Sequence, residues 1–370
     1  MHKYEIIIVG GGLAGLVSGF LLAKSGKKVL LIEKKTYPFH RVCGEYVSKE
    51  VEDFLRREAL LPTALDLPRM THFHFSDTSG SMAKVPLDLG GFGISRYVLD
   101  DYLFQQAKAM GVSPKTGAAA ETITFDPTEN HFKVGLRGGE EFYAEFVIGA
   151  FGKRSKLDKT LNRPFIAKRS PYIGVKYHIR TEFDTSAVAL HNFDGGYCGL
   201  NAIEEGKGNL CYLGSREALR QFGSLDKMER EILWKNPHLN KLFNESDFLL
   251  EKPEVINEIN FEKKKPVENH ILMAGDSAGL ITPLCGNGMA MAIHAGKLAA
   301  EAILQGKDRE QVENLYARGW KAKFERRLWV GRNSQRLFGG HRASGFARSL
   351  ISNFPGFAKL IISQTHGKVI

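Results

Sequence analysis

The sequence predicts an α/β fold in which a parallel-stranded lobe carries an inserted antiparallel β-sheet and ends in C-terminal helices. Three observations predict it. The chain opens on a β-branched strand, a glycine-rich turn and an apolar helix. A second strand, loop and helix follow much later, over Asn269–Ile303. Between them, residues 166–262 show strands such as "YIGVKYHIRTEF" and "GNLCYLG", as an antiparallel sheet requires.

The opening segment comes first. Ile6–Ala23 holds no charged residue, and 18 apolar residues are marginal for a spanning helix. Five of them are glycine, three in succession, which weakens a helix at its middle. A signal peptide would begin on a basic region, whereas this chain starts Met1-His2-Lys3-Tyr4-Glu5. The segment divides better. Tyr4–Val9 reads as a buried parallel strand, Leu16–Ser25 as a helix ended by Gly26, and Lys28–Ile32 as a second strand ending at Glu33.

The turn Gly10-Gly11-Gly12-Leu13-Ala14-Gly15 fits GxGxxG. Gly10 permits the tight turn, Gly12 lets backbone approach a pyrophosphate, and Gly15 lets the helix pack on the strand. The helix N-terminus offers free N–H groups to the anion. Glu33 can accept from a ribose diol. Gly10, Gly12, Leu13, Ala14, Gly15, Glu33 and the adjoining Lys34 are the candidate dinucleotide-binding residues of a Rossmann-like lobe.

In the late segment, His270–Ala274 reads as a strand and a long helix begins near Met289. Between them, Gly275 and Asp276 precede a loop with Pro283, Cys285, Gly286, Asn287 and Gly288. An acid at Asp276 suits a ribityl hydroxyl, and the loop lets backbone run beside a flat ring at a helix start.

With these two elements the chain resembles the FAD-dependent monooxygenase and geranylgeranyl-reductase superfamily, of para-hydroxybenzoate-hydroxylase type. Further segments carry the resemblance. "RVCGEYVS" implies Arg41 on the FAD phosphates and Cys43 at the substrate side of the flavin. "ISRYVLDDYLFQQAKAMGV" implies a cofactor contact from Arg96, although Arg96 is also spaced to pair with Asp100 on its own helix. Backbone near Ala120 becomes an adenine contact, and Gly275, Asp276, Gly286, Asn287 and Gly288 line the flavin. Tyr46 is a proton-donor candidate by location alone. The fold implied is a Rossmann-like FAD-binding domain (1–75, 94–165 and 263–310). An antiparallel β-sheet substrate domain (76–93 and 166–262) and a basic helical segment (311–370) complete it.

One departure stands out. The superfamily's middle motif GADG reads "GAFGKRS" here, with Phe151 at the Asp position. That puts stable NAD(P)H binding in doubt and leaves FAD binding intact, so the electron donor is either NAD(P)H or a reduced carrier protein. The implied function is an FAD-dependent oxidoreductase acting on an apolar or aromatic small molecule, by hydroxylation or by double-bond reduction. The alternatives are a flavin dehydrogenase or oxidase without hydroxylation, and a non-catalytic flavin-binding, membrane-associated protein.

Composition agrees with a soluble enzyme of two or three lobes, at 370 residues, 43% hydrophobic and 25% charged. Cys43, Cys198, Cys211 and Cys285 form no CxxC pair and no metal pattern with histidine, which predicts a reduced cytoplasmic protein without a metal site. The net charge is +10, but Lys321–Ile370 alone holds ten basic residues and one acid, Glu325. The near-neutral body argues against nucleic acid. The tail, with Leu350, Ile351, Phe354, Phe357, Leu360 and Ile361, reads as a helical cap over the pocket or as a peripheral contact with the inner face of a membrane.

Overall fold

The computed structural model describes residues 3–257, 259–282, 286–334, 341–353, 356 and 363–370. Pro283 and Cys285 of the flavin loop lie outside the described residues, as do Phe354, Phe357, Leu360 and Ile361 of the tail.

Two sheets build the chain. The parallel centre of the first runs in the order Ile271–Met273, Glu141–Gly149, Lys3–Val9, Val29–Glu33 and Ser113–Thr116. Ile8 faces Leu31 on one side and Ile148 on the other. Ile6, Ile7 and Ile8 are buried, which is why the opening strand is a continuous apolar run. The helix Leu13–Lys24 follows with almost no polar side, because it is covered on both flanks. Its neighbours are the helix Arg96–Ala109, capped by Ser95, and the helix Gly288–Gln305. A hairpin, Ala120–Asp126 with His131–Leu136, extends the sheet.

The second sheet is ordered Asp247–Phe248, Tyr172–Arg180, Gly208–Ser215, Gly196–Ala202, Ala187–Phe193, Arg69–Ser76, Met82–Gly93 and Tyr46–Ser48. Its described pairs are antiparallel except one: Ala187–Phe193 runs parallel to Arg69–Ser76. Tyr46–Ser48 and Arg69–Ser76 thus belong to this sheet, although they fall within the 1–75 stretch that the sequence grouped with the cofactor lobe. One face is covered by three short helices, Arg216–Phe222, Leu225–Glu231 and Pro237–Glu245, around Leu210, Tyr212, Met228 and Leu239.

The other face looks at the first lobe. Strand alternation puts Lys176, His178, Asn201, Asn209 and Cys211 on it, and three of them reach loop 41–45. Lys176 donates to the Arg41 carbonyl, Asn209 to the Cys43 carbonyl and Asn201 to the Glu45 carbonyl. Further along the same face, Phe75, Leu190, Tyr197 and Leu213 form an apolar patch. Ala347 and Ile351 of the helix His341–Asn353 pack on it. The tail helix therefore packs on the sheet face that is turned toward the first lobe.

Candidate active site

The glycine turn sits where strand Lys3–Val9 meets its helix. Gly10 has φ of 109°, and a Cβ there would collide with the Ala150 carbonyl. A Cβ on Gly15 would collide with the Gly10 carbonyl. Only glycine lets three backbone segments come this close. Gly12 differs. A side chain there would meet only the Arg96 guanidinium, 3.7 Å away, so its backbone faces open space beneath a cation. A pyrophosphate fits that geometry: open backbone at a helix N-terminus with a guanidinium above it.

Glu33, at the end of the second strand, is buried. Its Oε2 accepts from the Gly11 amide at 2.8 Å, and its Oε1 accepts from the Lys35 amide at 3.0 Å. Arg41 donates to Glu33 at 3.2 Å and to Asp100 at 3.0 Å. Arg96 donates to Asp100 at 2.6 and 2.7 Å. Burial works against the Arg96 charge, but Asp100 outweighs it and, with the Cys43 thiol alongside, pushes its pKa up. Two arginines share one buried carboxylate above the glycine turn. Tyr37 lies beside the turn, donating to the Gly11 carbonyl at 2.5 Å and stacking on Phe104.

The remaining candidates divide. Ala120 opens the hairpin strand, while the neighbouring Ala118 amide bonds the Glu33 carbonyl at 3.1 Å. Lys34 is exposed. Leu13 and Ala14 are buried in the first turn of their helix. Gly275 and Asp276 form a tight turn, and the Asp276 carbonyl accepts from Lys264 at 2.8 Å. Asn287 is buried just before the helix Gly288–Gln305. Its amide nitrogen donates to the Thr365 carbonyl at 2.9 Å, and its Oδ1 has no partner among the described residues. Gly286, with φ of 60°, brings the loop against the Tyr46 ring, 3.4 Å from where its Cβ would lie.

Tyr46 is buried and its hydroxyl has no hydrogen-bond partner among the described residues. Burial, and then Glu50 nearby, push its pKa up, so it keeps its proton. Cys43 is half-buried, its Sγ facing the Glu45 amide at 3.5 Å. Cys211 faces it from the second sheet, and burial, then Cys43, push that thiol up to about 12.

Four charged residues escaped sequence reasoning. Glu45, Lys153, Lys176 and Lys264 all sit between the two lobes. Lys264 donates both to the Lys153 carbonyl and to the Asp276 carbonyl, which ties the departed middle motif to the late turn. Burial, then Arg163, lower the Lys264 pKa to about 8. Burial also lowers that of Lys153, against the pull of Asp276. The strand alternation of "YIGVKYHIR" was the available signal for Lys176, since it puts that lysine and His178 on one face. The other three had none.

Comparison with known proteins places this geometry. Residues 3–306 match the family model described as the FAD binding domain. The chain is 25% identical over 358 residues to conditioned medium factor receptor 1 of Dictyostelium discoideum, covering 87% of this chain and 68% of that one. It is 25% identical over 339 residues to the digeranylgeranylglycerophospholipid reductase of Methanosarcina acetivorans, covering 86% and 80%. A geranylgeranyl bacteriochlorophyll reductase-like protein of Thermoplasma acidophilum shares the fold, with a TM-score of 0.76 at 20% identity over 95% of this chain and 92% of that one. The chain belongs to the FAD-binding domain family and is an FAD-dependent oxidoreductase.

Proposed function

We propose that this chain reduces a carbon–carbon double bond in an apolar, prenyl-type lipid. One observation carries the reading: a buried tyrosine, Tyr46, is held protonated with no hydrogen-bond partner among the described residues, between the loop at Gly286 and the second sheet. Bound and reduced, FAD supplies the hydride equivalent. Gly10, Gly12 and Gly15 with Arg41 and Arg96 hold its phosphates, and Glu33 its ribose. Asp276, Gly286 and Asn287 border its ring. Phe75, Leu190 and Leu213 pack with Ala347 and Ile351 into a buried apolar cluster on the sheet face turned toward the cradle. Tyr46 delivers the proton that completes the reduction. The reductase named among the relatives favours this chemistry over hydroxylation.

The division into a cofactor lobe and a substrate sheet is part of the proposal, as is the donor, NADPH, NADH or a reduced carrier protein. So is peripheral contact with anionic lipid at the inner face of a membrane. Trp329 and Phe346, 59% and 62% exposed, are the two most exposed large apolar residues among the described residues. Both lie in the basic tail, which suits an anionic surface. No described helix is long and apolar enough to cross a membrane.

The test is a visible spectrum of purified protein, then anaerobic addition of NADPH, NADH or a reduced ferredoxin, and then of a prenyl lipid in vesicles. Flavin bands that bleach with a donor and return anaerobically with the lipid are expected. Return only on admitting O₂, with a hydroxylated product, replaces the reductase by a monooxygenase. A colourless protein that takes up no FAD overturns the cradle.

A further inference from the structure

Glu45 holds a position that the proposed chemistry does not use. It is fully buried, with φ of 52° in the left-handed region, and it follows Cys43-Gly44. Its Oε1 accepts from the Lys176 ammonium at 2.5 Å and from the Arg96 amide at 2.8 Å. Its Oε2 accepts from His178 at 2.7 Å. Its carbonyl accepts from the Ile94 amide at 3.1 Å, and its own amide approaches the Cys43 sulfur. One carboxylate therefore joins the second sheet to the first residue of the helix that carries Arg96 and Asp100. The Arg96 amide belongs to the first turn of that helix, where a negative charge also meets the positive end of the helix dipole.

Around it Arg41, Arg96, Lys153, Lys176 and Lys264 gather with Glu33, Asp100, Glu45 and Asp276, and His178 meets Glu45 itself. Arg41 and Arg96 pair with Glu33 and Asp100, and Lys176 pairs with Glu45. Lys176 is itself fully buried. Its ammonium also reaches the Arg41 carbonyl at 3.2 Å, so it stands directly behind the arginine loop. Burial alone would protonate Glu45, but Lys176 and then His178 outweigh it and keep the carboxylate charged.

We infer that Glu45 is a positioning residue with two tasks. It fixes Arg96 and the Cys43 loop against the substrate sheet, and it cancels the Lys176 charge that would otherwise bias the cofactor cleft toward the reduced flavin. The inference rests on FAD occupying the cradle. A buried charge that loses its partner is felt strongly by its neighbours, because little solvent screens it.

The experiment uses the FAD-loaded protein and measures the midpoint potential of the bound flavin, alongside thermal melting, for wild type, E45Q, K176M and E45Q/K176M. E45Q keeps the shape and leaves Lys176 uncompensated. Its potential is expected to rise by at least a tenfold change in the two-electron equilibrium, about 30 mV. K176M is expected to shift it downward. The double variant is expected to return to the wild-type potential while its melting temperature stays lowered, a pattern that a merely structural pin does not give. Should E45Q prove too unstable to load, K176M and the double variant carry the same comparison. Equal potentials in all loaded variants, with only melting changed, overturn the inference. A wild-type chain that binds no flavin overturns the cofactor reading itself, and the electrostatic role with it.

Discussion

A buried hydroxyl without a partner costs about 1–3 kcal/mol of stability, and that of Tyr46 has none among the described residues. Replacing Tyr46 by Phe removes that cost and keeps the ring against Gly286. The expected outcome is an unchanged or slightly raised melting temperature with turnover reduced by about 100-fold or more, the usual contribution of a placed general acid. Rates in rapid-mixing assays check it, and a Y46F enzyme with full turnover reduces Tyr46 to a space-filling ring. At this scale the sequence was legible where chemistry is local. Gly10 and Gly15 announce close backbone approach, and Glu33 follows at the end of the next strand. Glu45 was not legible. Its partners Lys176 and His178 stand 131 and 133 positions away, and nothing local marks a buried carboxylate. Arg41 was read as a phosphate contact, but its pairing with Asp100 across 59 positions was beyond any spacing rule.

The elements were legible to within a few residues wherever periodicity and turn chemistry agree. The strand read at Tyr4–Val9 runs Lys3–Val9, and the helix expected near Met289 starts at Gly288. Arg216–Phe222, Leu225–Glu231 and Pro237–Glu245 are separate helices, because Ser215, Ser224 and Asn236 each cap a new one and Gly223 turns left-handed between the first two. Those caps were available in the sequence as helix starts. The parallel pairing of Arg69–Ser76 with Ala187–Phe193 was not available, because pairing partners leave no local trace. Arg163 shows what holds distant elements together. It is buried and donates to Asp158 at 2.8 Å, to Glu268 at 2.7 Å and to the Ser277 carbonyl at 2.9 Å. It thereby fixes the turn that bears Asp276. Arg163→Met strands the fully buried Asp158 carboxylate, so denaturant unfolding is expected to show a loss of about 3–5 kcal/mol. A loss under about 1 kcal/mol, within the range of exposed pairs, would show that the turn is held by other contacts.

The chain carries most of its basic excess in Lys321–Ile370, and the fold buries imidazoles in its interior. His191 is packed with His238 at 4.9 Å between ring centroids, and burial, then His238 and His74, lower its pKa to about 3. His294 lies on the helix Gly288–Gln305 against Phe324, and burial, then Arg327, lower its pKa to about 3 as well. Both rings are neutral in the fold, while their ordinary value is 6.5. Below pH 6.5 the unfolded chain therefore takes up protons that the folded chain refuses, and stability falls until the pH reaches about 3. Each histidine contributes a slope of about 1.4 kcal/mol per pH unit. Lowering the pH from 7 to 5 is expected to remove about 3–4 kcal/mol through these two residues alone, before most carboxylates titrate. Melting temperature against pH, with the proton uptake on unfolding taken from the slope, checks this. A melting temperature that stays flat from pH 7 to 5 would mean that both rings are already charged in the fold. The helix that borders the flavin loop would then hold an imidazolium beside Arg327.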